Sequence, residues 1–205
     1  MPETAALIVV DVQPDFLPGG ALAVPDGDAI LAPLAGLLTA VAYALAVATQ
    51  DWHPPGHVSF ASAHPGRRPF DAIDLYGHPQ TLWPDHCVQG TPGADLRAGL
   101  PWDRVSAVIR KGAAPDVDSY SGFRNNWDAA GGRPPTGLAG YLRERGVTEV
   151  AVCGLARDYC VRWTAEDAAA AGFRTTVLWD VTRPVVPASD DATREALERA
   201  GVRLA

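Results

Sequence analysis

Short, continuous apolar runs punctuate the chain at Ala5–Val10, Val105–Ile109, Val147–Leu155 and Thr175–Trp179. Each has strand length and is apolar on both alternating faces, the pattern of a strand covered by helices on either side of a sheet. Between and after these runs, Gly137–Arg145, Tyr159–Ala171 and Asp190–Ala200 carry helical patterns. A charge-free stretch from Ala29 to Gln50 reads as two elements. A helix begins between Asp28 and Pro33, with Ile30, Leu34, Leu37 and Val41 on one face, and a buried strand follows at about Leu45–Gln50. Val202–Leu204 closes the chain as an edge strand. Strand and helix alternate from end to end, which predicts an α/β fold: a doubly wound parallel sheet with helices on both faces, in one domain over 1–205.

Composition narrows the function classes. The chain has 205 residues, 47% of them apolar and 20% charged, enough for a core without disulfides. Seventeen basic against 24 acidic residues give a formal charge of -7, which excludes a general nucleic-acid or anionic-membrane binder. The Ala29–Gln50 stretch is alanine-rich, carries Pro33 and Gly36, and has no basic flank nearer than Arg67, so it is not expected to span a bilayer. Three cysteines and no recognisable signal sequence lead to the expectation of a reducing, cytoplasmic setting. Oligomeric state stays open, a homo-oligomer being one option.

Two long irregular stretches, Trp52–Gly99 and Gly112–Thr136, are functional or disordered by their length, and the first holds all five histidines. In open parallel sheets ligands bind beyond the carboxyl ends of the strands. Asp11, the pair Asp51 and His53, Lys111 and the segment Gly154–Cys160 all follow predicted strands there. Cys160 opens a predicted helix, where backbone N–H groups and the helix dipole lower a thiol's pKa and can hold an oxyanion; it is either a nucleophile or an inert packing cysteine. Cys153 reads as structural. Asp11 at the mouth of an apolar strand needs a partner, and Lys111, expected at the same position one strand away, can supply it, as a structural pair or as part of an activated thiol. Asp51, His53 and His86 form a reasonable set for zinc, iron or manganese, with His57 as an extra candidate and His64 and His78 as surface residues. Phe16, Trp52, Trp83, Tyr120 and Tyr159 flank these positions and suit a flat heteroaromatic ligand.

Five segments in order, VVDVQPDFLPGGALAV, TQDWHPPGHVSFAS, LWPDHCVQGTPGADL, RKG…DSYSGF and CGLARDYCVRWTAEDA, resemble the motif set of bacterial nicotinamidases among the isochorismatase-like cysteine hydrolases. The resemblance covers Ala6 to about Thr182. It implies a six-stranded parallel sheet and a metal-assisted amidohydrolase that converts nicotinamide to nicotinate and ammonia through a thioester, with pyrazinamide as a further substrate. Carried over by position, Asp11, Lys111 and Cys160 match the catalytic triad, and Asp51, His53 and His86 match the ligands of one divalent ion, zinc first, with iron or manganese as alternatives. Leu155–Ala156 matches a cis-peptide turn that would offer the Ala156 and Cys160 N–H groups as oxyanion hole. Phe16 and Trp83 match substrate-stacking residues, and Tyr159 a pocket wall. Arg157 departs from the family pattern, which has a small threonine there. The rivals are a cysteine hydrolase of another amide or carbamoyl compound and a non-catalytic small-molecule or metal-binding module. Isochorismatase-type ether hydrolysis has no need of a thiol nucleophile.

Overall fold

The computed structural model describes residues 4–40 and 42–205. Val41, placed above on the face of the first helix, lies outside the described residues. The first apolar run is β1 (Ala5–Val10), buried completely from Ala6 to Val10. Helix α1 (Leu31–Thr39) leads to β2 (Leu45–Asp51), and the long irregular stretch that follows contains a small antiparallel hairpin, β3 (Ala72–Leu75) and β4 (His78–Thr81). That hairpin was not expected: its strands are four residues long, with Asp74 and Pro79 inside them, and give no periodicity to read. The remaining elements are β5 (Ala107–Lys111), α2 (Leu138–Glu144), β6 (Glu149–Leu155), α3 (Arg162–Ala170), β7 (Arg174–Arg183), α4 (Asp190–Arg199) and β8 (Arg203–Leu204).

β5 sits two residues later than the apolar run at Val105–Ile109 suggested, because its pairing with β2 continues through Arg110 to Lys111, opposite Asp51. Helix α3 also starts later than expected. Residues Arg157–Val161 form a π turn in which the Val161 N–H reaches back to the Ala156 carbonyl at 3.0 Å. Single π turns of this kind recur at functional sites.

Six strands form one parallel sheet in the order β5-β2-β1-β6-β7-β8. The chain steps outward from β1 to β2 and β5, returns through α2 to β6 on the other side of β1, and steps outward again to β7 and β8. Parallel crossovers are right-handed as a rule, so with this strand order α1 and the group α2, α3 and α4 fall on opposite faces, in keeping with the doubly wound sheet that the alternating pattern predicted. The strand order reverses between β1 and β6, where a crevice opens at the carboxyl ends. Among the described residues, no helix is long and apolar enough to cross a membrane.

The two strands at the reversal approach so closely that only glycine fits. Gly154 pairs with Val10 and has φ +113°; a Cβ there would lie 2.1 Å from the Val10 carbonyl oxygen. Gly154→Ala should therefore lower stability by about 3 kcal/mol, seen as a fall in the denaturation midpoint at unchanged m-value. A midpoint equal to that of the native protein would show that the sheet can open at this point.

Candidate active site

The carboxyl ends of β1, β2, β5 and β6 gather the candidate residues around the ammonium of Lys111. This side chain is 1% exposed. Its Nζ contacts Asp11 Oδ2 at 2.8 Å, the Ser119 carbonyl at 2.9 Å, Cys160 Sγ at 3.4 Å and Asp51 Oδ1 at short range. Sequence reasoning gave Lys111 one carboxylate partner, Asp11, one strand away. The sheet order places β2 between β1 and β5, so Asp51 is the direct neighbour of Lys111 and the ammonium serves both carboxylates. Burial alone would discharge the lysine, but Asp11 and Asp51 outweigh it and hold its pKa well above the ordinary value.

Asp11 is fully buried and has a left-handed φ of +47°. Its Oδ1 accepts from Thr49 Oγ1 at 2.6 Å, and its backbone N–H donates to the same hydroxyl oxygen at 3.2 Å. Burial raises its pKa to about 6 against the opposing pull of Lys111, close to neutral pH, where a group can both take and return a proton. A carboxylate oxygen of Asp11 and Sγ of Cys160 lie within 4.8 Å of each other.

Cys160 corrects one expectation. Its position before a helix suggested a lowered pKa. Burial instead pushes the thiol well above its usual value; Lys111 opposes this, while Asp11 and Asp51 add to it. Burial thus favours the neutral thiol, and the ammonium supplies the pull toward thiolate. Cys153, buried in β6, is raised to about 12 by burial, in line with its structural reading. The Leu155–Ala156 peptide is cis.

A second constellation shares Asp51. One ligand atom from each of Asp51, His53 and His86 lies within 4.8 Å of the others, and all three residues are buried. The Nε2 atoms of His53 and His86 face Asp51 Oδ2 at 3.7 and 3.8 Å. Their Nδ1 atoms meet the carbonyl oxygens of Gly112 (3.0 Å) and Pro84 (2.8 Å). A carbonyl only accepts, so Nδ1 carries the proton and the Nε2 lone pair is left for a ligand. Three lone-pair atoms converge with no donor between them, an arrangement that a cation resolves, and the group fits a divalent metal ion. Gln13, which sequence reading passed over, locks the Asp51 backbone by donating to its carbonyl and accepting from its N–H, both at 2.8 Å. His57 packs beside His53 with ring centroids 4.4 Å apart, but its own nitrogens meet Ser59 Oγ and the Val117 carbonyl. It stands outside this trio and forms a separate group with His53 and Asp118. His64 and His78 are half-buried rather than superficial: one meets the Val58 carbonyl, and the other stacks on Trp127.

The pocket above is lined by Phe16, Trp83, Tyr120 and Tyr159, together with Asp51, His53, His86, Ala156 and Cys160. Trp83 meets Tyr159 edge to face at 4.7 Å and donates from Nε1 to the Tyr120 hydroxyl at 3.2 Å. Trp52 does not line it; its ring stacks on the Arg110 guanidinium at 4.0 Å. Leu22, Asp118 and Val185 also line the pocket and were missed. Leu22 and Asp118 lay in quoted motifs, whereas Val185 is an ordinary apolar loop residue with no local signal.

The fold and this site define a class, and the chain belongs to it: the family model of the isochorismatase domain matches residues 5–204. Its relatives include the nicotinamidase of Acinetobacter baylyi, 48% identical over 180 residues (88% of this chain, 81% of the relative), and that of Escherichia coli, 43% identical over 195 residues (94% and 89%). Among solved structures, the Acinetobacter baumanii nicotinamidase superposes with a TM-score of 0.93 at 42% identity (100% and 96% covered). An L. infantum protein in complex with nicotinate gives 0.86 at 42% (100% and 94%), and the Pyrococcus horikoshii pyrazinamidase in complex with zinc gives 0.78 at 39% (98% of each).

Gly112 tests the metal group without touching a ligand. A Cβ at Gly112, whose φ is +62°, would lie 2.3 Å from His53 Cε1. Gly112→Ala should turn the imidazole away and weaken metal binding by about 10- to 100-fold while the sheet survives. Competition with a chelator, followed by elemental analysis, measures it. Unchanged affinity would remove His53 from the group.

Proposed function

We propose that this chain hydrolyses nicotinamide to nicotinate and ammonia, with pyrazinamide as a further substrate. One observation carries the reading: a buried thiol and a buried carboxylate flank a shared ammonium at the floor of an aromatic pocket, beside an Asp-His-His group. The aromatic walls suit a flat ring. The nicotinate complex of the L. infantum protein supports the same ligand class for this pocket.

Asp11 Oδ2 meets Lys111 Nζ at 2.8 Å and keeps a second lone pair to accept the Cys160 proton. The sulfur attacks the carboxamide carbon, and Lys111 stabilises the negative charge on the sulfur while it lasts. The N–H groups of Ala156 and Cys160 take the developing oxyanion, donors of a kind individually worth roughly 3–4 kcal/mol. Asp11 returns the proton to the departing amine, and ammonia leaves behind a thioester. Water cleaves the thioester, giving nicotinate and the free thiol, with Asp11 again as the base. Zinc is the ion proposed for Asp51, His53 and His86; when bound it supplies a Lewis acid to the substrate's ring nitrogen.

The test is ammonia release from nicotinamide by metal-replete protein. Cys160→Ala should lower kcat by about 10⁴-fold or more, and Asp11→Asn should do likewise because the two act as a unit. Stripping the metal should abolish most activity, and zinc should restore it. No ammonia from the replete native protein would defeat the assignment. Strictly simultaneous release of ammonia and nicotinate at every enzyme concentration would argue against an accumulating thioester.

A further inference from the structure

Of the residues lining the pocket, Val185 alone comes from the segment after β7. That segment is held by the turn that carries Cys160. The pairing of β6 with β7 jumps from Val152–Val177 to Gly154–Thr182, so β7 bulges in between and turns carbonyl groups out of the ladder. Arg157, 4% exposed, fills the bulge. Its Nε donates to Thr182 Oγ1 at 2.8 Å, and its Nη2 donates to the carbonyls of Trp179 and Thr182 at 3.1 and 2.8 Å. Its guanidinium carbon lies 4.0 Å from the Trp179 ring centroid. Nη1 donates to Asp190 Oδ2 at 2.7 Å, on the first residue of α4. Arg157 thus grips both ends of the segment 183–189.

Asp158 grips its middle. Oδ1 accepts from the Val185 N–H and Oδ2 from the Val186 N–H, each at 2.9 Å, and Oδ2 also accepts from Ser189 Oγ at 3.1 Å. Both residues belong to the π turn that holds Cys160. The part of the pocket wall that Val185 forms is therefore built on the nucleophile's own turn. A lysine at 157 would keep the charge but lose the fork that reaches two carbonyls, a hydroxyl and a carboxylate together.

We infer that Arg157 and Asp158 are specificity-determining positioning residues. Through Val185 they fix where that part of the pocket wall stands relative to the nucleophile turn, and so restrict the substrate to flat single-ring carboxamides without a substituent on that side. The inference rests on the nicotinamidase reading and says what sets its selectivity.

The experiment compares native protein with Arg157→Thr, Arg157→Lys, Asp158→Asn and Val185→Ala, using nicotinamide and 5-methylnicotinamide. Its readouts are kcat and KM, hydrogen exchange at the Val185 and Val186 amides, and the alkylation rate of Cys160. Exchange at both amides should quicken in the three variants at 157 and 158, with alkylation unchanged. A single methyl group in such a pocket is worth on the order of 10- to 200-fold in kcat/KM, and the native preference for nicotinamide should fall by about 10-fold in all four variants. For the variants at 157 and 158, KM for nicotinamide should rise while kcat stays within about twofold. Unchanged exchange and preference in both Arg157→Thr and Asp158→Asn would overturn the inference, as would a loss of kcat with the preference intact. Should Arg157→Thr fail to fold, Asp158→Asn, which is nearly isosteric, decides the matter by the same measurements. If native protein releases no ammonia, the functional reading fails separately, and amide exchange still decides the brace: faster exchange in Asp158→Asn supports it, and unchanged exchange overturns it.

Discussion

The ammonium of Lys111 is the interaction on which the site depends. It is the chain's only lysine, it is buried, and it touches Asp11, Asp51 and Cys160 at once. Without it, two carboxylates would face each other out of water with no countercharge between them. Breaking a buried ion pair by removing one partner typically costs roughly 3–5 kcal/mol, so the group is structural as well as chemical. Arginine could keep the charge, but its planar fork is larger and more committed in direction than a lysine point charge on a flexible stem.

The sheet creates this meeting. Because β2 lies between β1 and β5, Asp51 stands next to Lys111 in register, and Asp11 approaches from the far side. One carboxylate then faces the thiol, and the other turns its second oxygen toward two imidazoles. In the proposed reaction the proton-transfer pair and the metal group are two sides of one charge cluster. Burial supplies the remaining tuning. It lifts the Asp11 pKa to about 6, so that the carboxylate can take up a proton, and it favours the neutral form of the thiol.

Much of this was legible in the chain. The apolar runs placed β1 and β6, and chemistry at strand ends singled out Asp11, Asp51, Lys111 and Cys160 before any geometry was known. What escaped was tertiary in origin. Lys111 was assigned one carboxylate, not two, because the strand order could not be read from the runs themselves. The thiol's pKa was misjudged because a helix end was weighed without the burial around it. The β3–β4 hairpin is too short and polar to show a period. Val185 contributes to the pocket only because Asp158 and Arg157, distant in sequence, hold its segment down. Gln13 and Gly112 lie inside quoted motifs, but that they position Asp51 and His53 is set by contacts across the sheet and could not be read locally.

The most direct measurement of the central claim is the pH profile of Cys160 alkylation in native protein and in Lys111→Met, localised by mass spectrometry because Cys87 and Cys153 are also free thiols. An opposite charge favours the ionised form of a thiol, and burial opposes it. If Lys111 supplies the pull toward thiolate, the profile of the folded variant moves to higher pH. An identical profile in the two proteins would contradict the account, leaving the lysine a structural counterion with no part in activating the nucleophile.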